Sequence, residues 1–218
     1  MELAELLRHV DHTCLSVDAV WDDIRRICDE GMEFQTASVC IPPVFVKQAA
    51  EYVDGRIPIC TVIGFPNGTQ TTACKVFETK DAIRNGAAEI DMVISVGRVK
   101  EGKFDAVQEE IEAVRAACDG RILKVIVEAC LLTEEEKIRM CQVVTAAGAD
   151  YIKTSTGFGP GGATEEDVAL FARWVGPKGK IKAAGGIRTV EAGERFLRLG
   201  ADRLGSSGIV AQCKAKKE

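Results

Sequence analysis

The chain has only two histidines, His9 and His12, and none of its nine cysteines forms a CxxC pair. That excludes zinc knuckles and multi-histidine metal centres. His9, Asp11 and His12 are the one grouping that could seed a metal site, and no metal is expected there. The cysteine count is odd and most settings are apolar, which points to reduced core thiols in a reducing compartment. No apolar stretch approaches the roughly 20 residues needed to cross a bilayer. The N-terminus, MELAELLRHVDH, is charged where a signal peptide would be apolar. Basic runs are absent apart from Lys214, Lys216 and Lys217, and the net charge is −5. Neither nucleic acid nor a membrane is an expected partner. With 46% apolar and 28% charged residues in 218, the composition is that of a globular cytoplasmic protein. No linker or composition break interrupts the chain, so residues 1–218 are expected to form a single domain.

What is present is a repeat. Eight short β-rich apolar runs lie around Val10–Leu15, Phe34–Ile41, Ile57–Phe65, Glu89–Val96, Ile122–Ala129, Tyr151–Ser155, Ile181–Ala184 and Arg203–Gly205. Between them, Val17–Glu30, Pro43–Val53, Thr71–Asn85, Lys103–Cys118, Thr133–Ala147, Thr164–Val175 and Val190–Leu199 carry apolar residues at helical spacing. Thr133 and Thr164, each followed by glutamates, are good helix starts, and Pro42-Pro43 suits a helix entry. Glycine precedes seven of the runs, at Gly31, Gly55, Gly86, Gly120, Gly148, Gly179 and Gly200, where it can cap a helix and turn the chain back. The spacing is about 28 residues, enough for one strand, one helix and two short loops. Eight such units make a closed barrel or a doubly wound open sheet. A nucleotide-binding open sheet carries a Gly-rich turn after its first strand. Here that turn reads His12-Thr-Cys-Leu-Ser, without glycine. The expected fold is therefore α/β, a (β/α)8 TIM barrel, with Glu2–Arg8 as a short helix capping its floor.

In such a barrel the chemistry sits at the C-terminal ends of the strands. Several of these ends carry groups that an apolar core would reject: Asp11, Asp91, Lys124, Lys153 and Lys182. Lysine is rarely buried unless paired, and three on neighbouring strands are hard to explain as packing. Period two places Lys124 and Glu128 on one strand face, as a possible ion pair. A free lysine is neutral only about once in 2,500 at pH 7. A second cation nearby and burial both disfavour the charged form. A drop of about three units, worth roughly 4 kcal/mol, makes the amine a usable nucleophile. An amine that attacks a carbonyl forms a Schiff base, whose iminium accepts electrons from the adjacent carbon–carbon bond. Asp91 could shuttle protons. Gly185-Gly186-Ile-Arg188 and Gly205-Ser206-Ser207-Gly208, after strands seven and eight, both look like loops opening a helix, where backbone N–H groups bind phosphate. Thr154-Ser-Thr-Gly157 can add donors.

These motifs resemble one family over nearly the full length. Asp11-His12-Thr13, Val39-Cys40, Gly64-Phe65-Pro66-Asn67-Gly68, Glu89-Ile90-Asp91-Met92-Val93, Lys124-Val-Ile-Val-Glu128, Tyr151-Ile-Lys153-Thr-Ser-Thr-Gly157, Lys182-Ala-Ala-Gly-Gly-Ile-Arg188 and Arg203-Leu-Gly-Ser-Ser-Gly208 are similar to those of the deoxyribose-phosphate aldolases, a class I aldolase family. The resemblance implies a metal-independent, cofactor-free lyase of deoxyribonucleotide catabolism and carbohydrate degradation. Such an enzyme reversibly cleaves 2-deoxy-D-ribose 5-phosphate to acetaldehyde and D-glyceraldehyde 3-phosphate. Lys153 then matches the Schiff-base lysine, Lys182 the lysine that perturbs it, and Asp91 the proton-relay carboxylate. Lys124 and Asp11 match supporting polar positions, and Cys40 a cysteine near the substrate. Gly157, Gly185, Gly186, Gly205, Ser206 and Ser207 match the phosphate cradle. A homo-oligomer, dimer or tetramer, is the expected assembly. Phe158 stands where some members have a lysine, and the tail lacks the tyrosine that some members carry, so no proton relay through it is expected. Two other readings stay open: a Schiff-base aldolase acting on a ketose phosphate, and a non-catalytic barrel that binds a sugar phosphate.

Overall fold

The structure, a computed structural model, describes residues 1–215. The basic residues Lys216 and Lys217, with the end of the tail, lie outside the described residues. Eight parallel strands pair in sequence order: β1 (Val10–Thr13), β2 (Ser38–Ile41), β3 (Ile59–Ile63), β4 (Glu89–Val93), β5 (Ile122–Ile126), β6 (Tyr151–Lys153), β7 (Lys180–Ala184) and β8 (Arg203–Ser206). β8 returns to β1, with Val10 opposite Leu204, and closes the barrel. The helices α1 (Leu3–Leu7), α2 (Trp21–Glu33), α3 (Val46–Val53), α4 (Thr72–Arg84), α5 (Val96–Lys100), α6 (Phe104–Ala117), α7 (Glu134–Ala146), α8 (Glu165–Trp174), α9 (Val190–Arg198) and α10 (Ile209–Ala215) run between and after the strands. α1 leads into the N-terminal end of β1 and buries Leu6 and Leu7. Among the described residues, no helix is long and apolar enough to cross a membrane.

Local chemistry explains most boundaries. Thr133 and Glu136 form a reciprocal capping box at the start of α7, and the Thr164 hydroxyl accepts from Asp167 N–H at the start of α8. The Pro42-Pro43 entry first makes a 3-10 turn, Pro43–Phe45, before α3. One expected glycine cap is absent. Gly31 lies inside α2, where a Cβ would stand 2.5 Å from Val39 Cγ1 on β2. The helix runs on to Glu33, and the turn falls at Gln35, with φ +51. The Phe34–Ile41 run yields only the four-residue strand Ser38–Ile41.

The apolar core lies between the barrel and its helices, not inside the barrel. Strand alternation sends Ile90 and Met92 of β4 into this layer and turns Glu89 and Asp91 inward. A separate small cluster, Cys40, Cys60 and Val62, packs under Leu15 and Phe65. The rest of the lumen is filled largely by charge.

Candidate active site

Seven charged side chains from six strands meet in the lumen. Asp91 sits among three lysines: Lys124 donates to its Oδ1 at 2.9 Å, while Lys153 and Lys182 each donate to its Oδ2 at 2.7 Å. The Lys153 and Lys182 nitrogens are thus no more than twice that distance apart. Lys182 also reaches Asp11 Oδ2 at 2.5 Å, and Lys124 reaches Glu89 at 2.5 Å. Arg203 pairs with Asp11 at 2.5 Å and with Glu89 at 3.1 Å. The register builds this cluster by placing Asp91 beside Lys124, Lys153 beside Lys182, and Lys182 beside Arg203. Gly205 makes the room, since a Cβ there would come 3.3 Å from Lys182 Cε.

Charge decides how these groups ionise. Burial would raise the Asp91 carboxyl, but Lys124, Lys153 and Lys182 outweigh it and hold Asp91 well below the usual carboxylate range. Burial likewise opposes ionisation of Asp11, and Lys182, Lys124 and Arg203 override it. Burial pushes Lys182 down, yet Asp11 and Asp91 together hold it well above an ordinary lysine. Lys182 is therefore a fixed ammonium. The four cations Lys124, Lys153, Lys182 and Arg203 face three carboxylates, Asp11, Glu89 and Asp91. One positive charge is in surplus.

Of the seven, Lys153 is the one that lines the cavity at the C-terminal mouth of the barrel, which measures about 380 Å³. All six residues expected to form the phosphate cradle line the same cavity: Gly157, Gly185, Gly186, Gly205, Ser206 and Ser207. The two serines differ. The Ser206 hydroxyl donates to Ile187 O at 2.7 Å and accepts from Gly208 and Ile209 N–H, so it caps α10. Ser207 is exposed. Arg188, Thr156 and Cys14 line the cavity as well. Thr156 belongs to the Thr154–Gly157 segment expected to add donors, whereas Arg188, a cation beside a glycine pair in the Gly-Gly-Ile-Arg motif, and Cys14 carry no expected role. Phe158, on the cavity rim, packs edge-on against Phe65 at 5.2 Å.

Other expectations turn out differently. Glu128 does not pair with Lys124; it binds Thr156. Cys40 is fully buried and does not line the cavity. A hydrogen bond with Cys60 pulls its thiol down in spite of burial. The histidines do not form a metal site with Asp11. His9 binds Asp202 O at 2.8 Å, and His12 binds Glu30 of α2 at 2.7 Å, outside the lumen. Cys40, Cys60 and Asp91 do place donor atoms within 4.8 Å of one another. However, ammonium heads already crowd Asp91, so a metal ion would have to compete with three lysines.

The family model described as DeoC/LacD family aldolase matches residues 6–211. The chain belongs to the DeoC/LacD aldolase family. It is an aldolase, a carbon–carbon lyase on a TIM barrel. It is 58% identical over 217 residues to the deoxyribose-phosphate aldolase of Streptococcus agalactiae, covering 100% of this chain and 97% of that one. A Streptococcus pyogenes deoxyribose-phosphate aldolase is 59% identical over 210 residues, 96% and 94% of the two chains. Among solved structures, one from Coccidioides immitis matches with a TM-score of 0.94 at 40% identity, over 98% of this chain and 87% of that one. The tetrameric deoxyribose phosphate aldolase of Aeropyrum pernix matches with 0.89 at 28%, over 99% and 93%.

Proposed function

We propose that this DeoC/LacD aldolase cleaves 2-deoxy-D-ribose 5-phosphate through a Schiff base on Lys153, without a metal. One observation carries the reading: Lys153 is the single member of the buried charge cluster that opens onto the cavity, opposite a glycine-rich rim. Removing one proton from the cluster leaves three cations facing three carboxylates. Lys153 has one carboxylate contact where Lys182 has two, and it is the amine that can reach substrate. Its neutral nitrogen attacks the aldehyde carbon C1, and the carbinolamine loses water to give an iminium. The C3 hydroxyl then gives up its proton and the C2–C3 electrons move into the iminium, which releases D-glyceraldehyde 3-phosphate and leaves an enamine. Protonation at C2 and hydrolysis release acetaldehyde and restore the amine.

Asp91 touches the reacting nitrogen, so it is placed to exchange the protons of amine, carbinolamine and imine. It is fully buried and does not line the cavity, so its link to the substrate runs through the Lys153 nitrogen. Lys182 keeps its charge beside Lys153, held by Asp11 and Asp91. Arg188, with the N–H groups of the rim, receives the phosphate. By likeness to the Aeropyrum pernix enzyme, the chain self-associates, which light scattering would show.

Borohydride reduction in the presence of substrate, followed by peptide mass spectrometry, tests the mechanism. The expected adduct is on Lys153, and an adduct elsewhere overturns the assignment. Full activity after treatment with a chelator is expected. Fructose phosphates should give no product, which separates this reading from a ketose-phosphate aldolase.

A further inference from the structure

The segment that follows Lys153 is held from one side by a residue that the scheme above does not use. Glu128 lies two residues beyond β5, is buried, and has left-handed backbone with φ +50. A side chain is strained in that conformation, which persists only where the surroundings enforce it. Here two neighbouring N–H groups reach two successive carbonyls of the catalytic segment. Val127 N–H donates to Lys153 O at 3.0 Å, and Ala129 N–H donates to Thr154 O at 2.8 Å.

The side chain serves the same segment. Both Glu128 carboxylate oxygens accept from Thr156 N–H at 3.3 Å, and Oε2 accepts from the Thr156 hydroxyl at 2.5 Å. That hydroxyl in turn accepts from Phe158 N–H at 3.0 Å. Gly159 closes over the carboxylate, because a Cβ there would stand 3.0 Å from Glu128 Cδ. Glu89 spends its charge on Lys124 and Arg203, whereas Glu128 spends its own on one turn of backbone. That turn matters to the cavity: Thr156, Gly157 and Phe158 all line it beside Lys153.

We propose that Glu128 is a positioning residue that fixes the Thr156–Phe158 turn, and with it the cavity wall that receives the phosphate-bearing half of the sugar. The proposal rests on the Schiff-base reading and adds a residue that touches neither substrate nor Lys153 through its side chain. A removable wall contact should act on binding and leave imine chemistry alone.

The test uses E128Q, T156V, T156S and the E128Q/T156V double variant. In E128Q and T156V, KM for 2-deoxyribose 5-phosphate is expected to rise tenfold or more, with kcat within threefold of wild type. T156S, which keeps the hydroxyl, should restore KM. The double variant should be no worse than either single one, since both break one unit. Acetaldehyde carries no phosphate-bearing half, so borohydride should trap it on Lys153 in the variants at the wild-type rate. Unchanged KM, multiplying losses in the double variant, or trapping that slows in step with KM would each overturn the proposal. If E128Q does not fold, T156V and T156S carry the same test. Titration of D-glyceraldehyde 3-phosphate into K153A protein, with and without T156V, needs no imine. A tenfold loss of affinity is expected, and no loss overturns the proposal. Absence of any adduct on wild-type Lys153 would instead refute the Schiff-base reading, and this titration would still judge Glu128.

Discussion

Two kinds of buried lysine stand in this protein, and they do different work. Lys75 of α4 is fully buried outside the barrel and pairs one-to-one with Glu110 of α6 at 2.8 Å, with Gly68 O as a second acceptor at 2.9 Å. Burial pulls it below an ordinary lysine, and Glu110 offsets part of this. It does not line the cavity onto which Lys153 opens. In the lumen, three lysines and an arginine share three carboxylates, and one lysine lines the cavity. Burial alone therefore does not mark a nucleophile. A closed pair is a structural clamp, whereas an unequal, shared cluster with one member lining a cavity is what the proposed chemistry requires.

The sharpest way to break this contrast is to exchange the roles. Lys153→Ala should lower the rate of retro-aldol cleavage at least about 10⁴-fold, since it removes the amine proposed to form the Schiff base. Lys75→Met should leave kcat near wild type in the folded fraction, and a steady-state assay on both variants decides the point. Asp91→Asn should cost about 10² to 10⁴ in kcat by removing the acid–base partner of the imine.

Stability should show the opposite order for Lys75. Lys75→Met leaves Glu110 buried and unpaired, a loss of about 3–5 kcal/mol in urea unfolding. Replacing Glu110 by Leu in the same protein should recover much of that loss. If the single variant is as stable as wild type, the clamp account is wrong.

The charge cluster also sets a pH window. Asp11 and Asp91 have folded pKa values below their unfolded ones. Their contribution is complete above about pH 4 and is lost as pH falls through the folded values. Lys182 is raised, so its contribution is complete below about pH 10 and is lost as pH rises through its folded value. Unfolding midpoints measured against pH should fall below pH 4, and less steeply in Asp91→Asn. Lys182→Leu removes the fixed ammonium beside Lys153, so the acid limb of the kcat/KM profile should move to higher pH. An unmoved limb would refute the electrostatic role of Lys182.

The smallest expected effect separates the two rim serines. Ser206→Ala removes the α10 cap and should cost about 1 kcal/mol of stability, with KM near wild type. Ser207→Ala should leave stability unchanged.

Much of this was legible in the chain. Alternation in Glu89-Ile-Asp-Met-Val requires two carboxylates on one face and two apolar groups on the other, whatever the fold. Repeating strand–helix units of near-constant length restrict the architecture to barrel or open sheet, and lysines within apolar strands demand partners. These are local matters, fixed by period and by the cost of burying charge. Partnership is not local. Lys124 and Glu128 stand four residues apart, but β5 ends at Ile126, and Lys124 turns to Asp91, Glu89 and Asp11, because barrel closure and register bring those strands around it. The Lys75–Glu110 pair is not legible in the chain, because helical spacing alone does not say which helix face meets another. Gly31 read as a cap and proved to be a packing gap for Val39. Tertiary structure alone decided which carboxylate each lysine met and which of them lined the cavity, since strand order and stagger set distances between residues far apart in the chain.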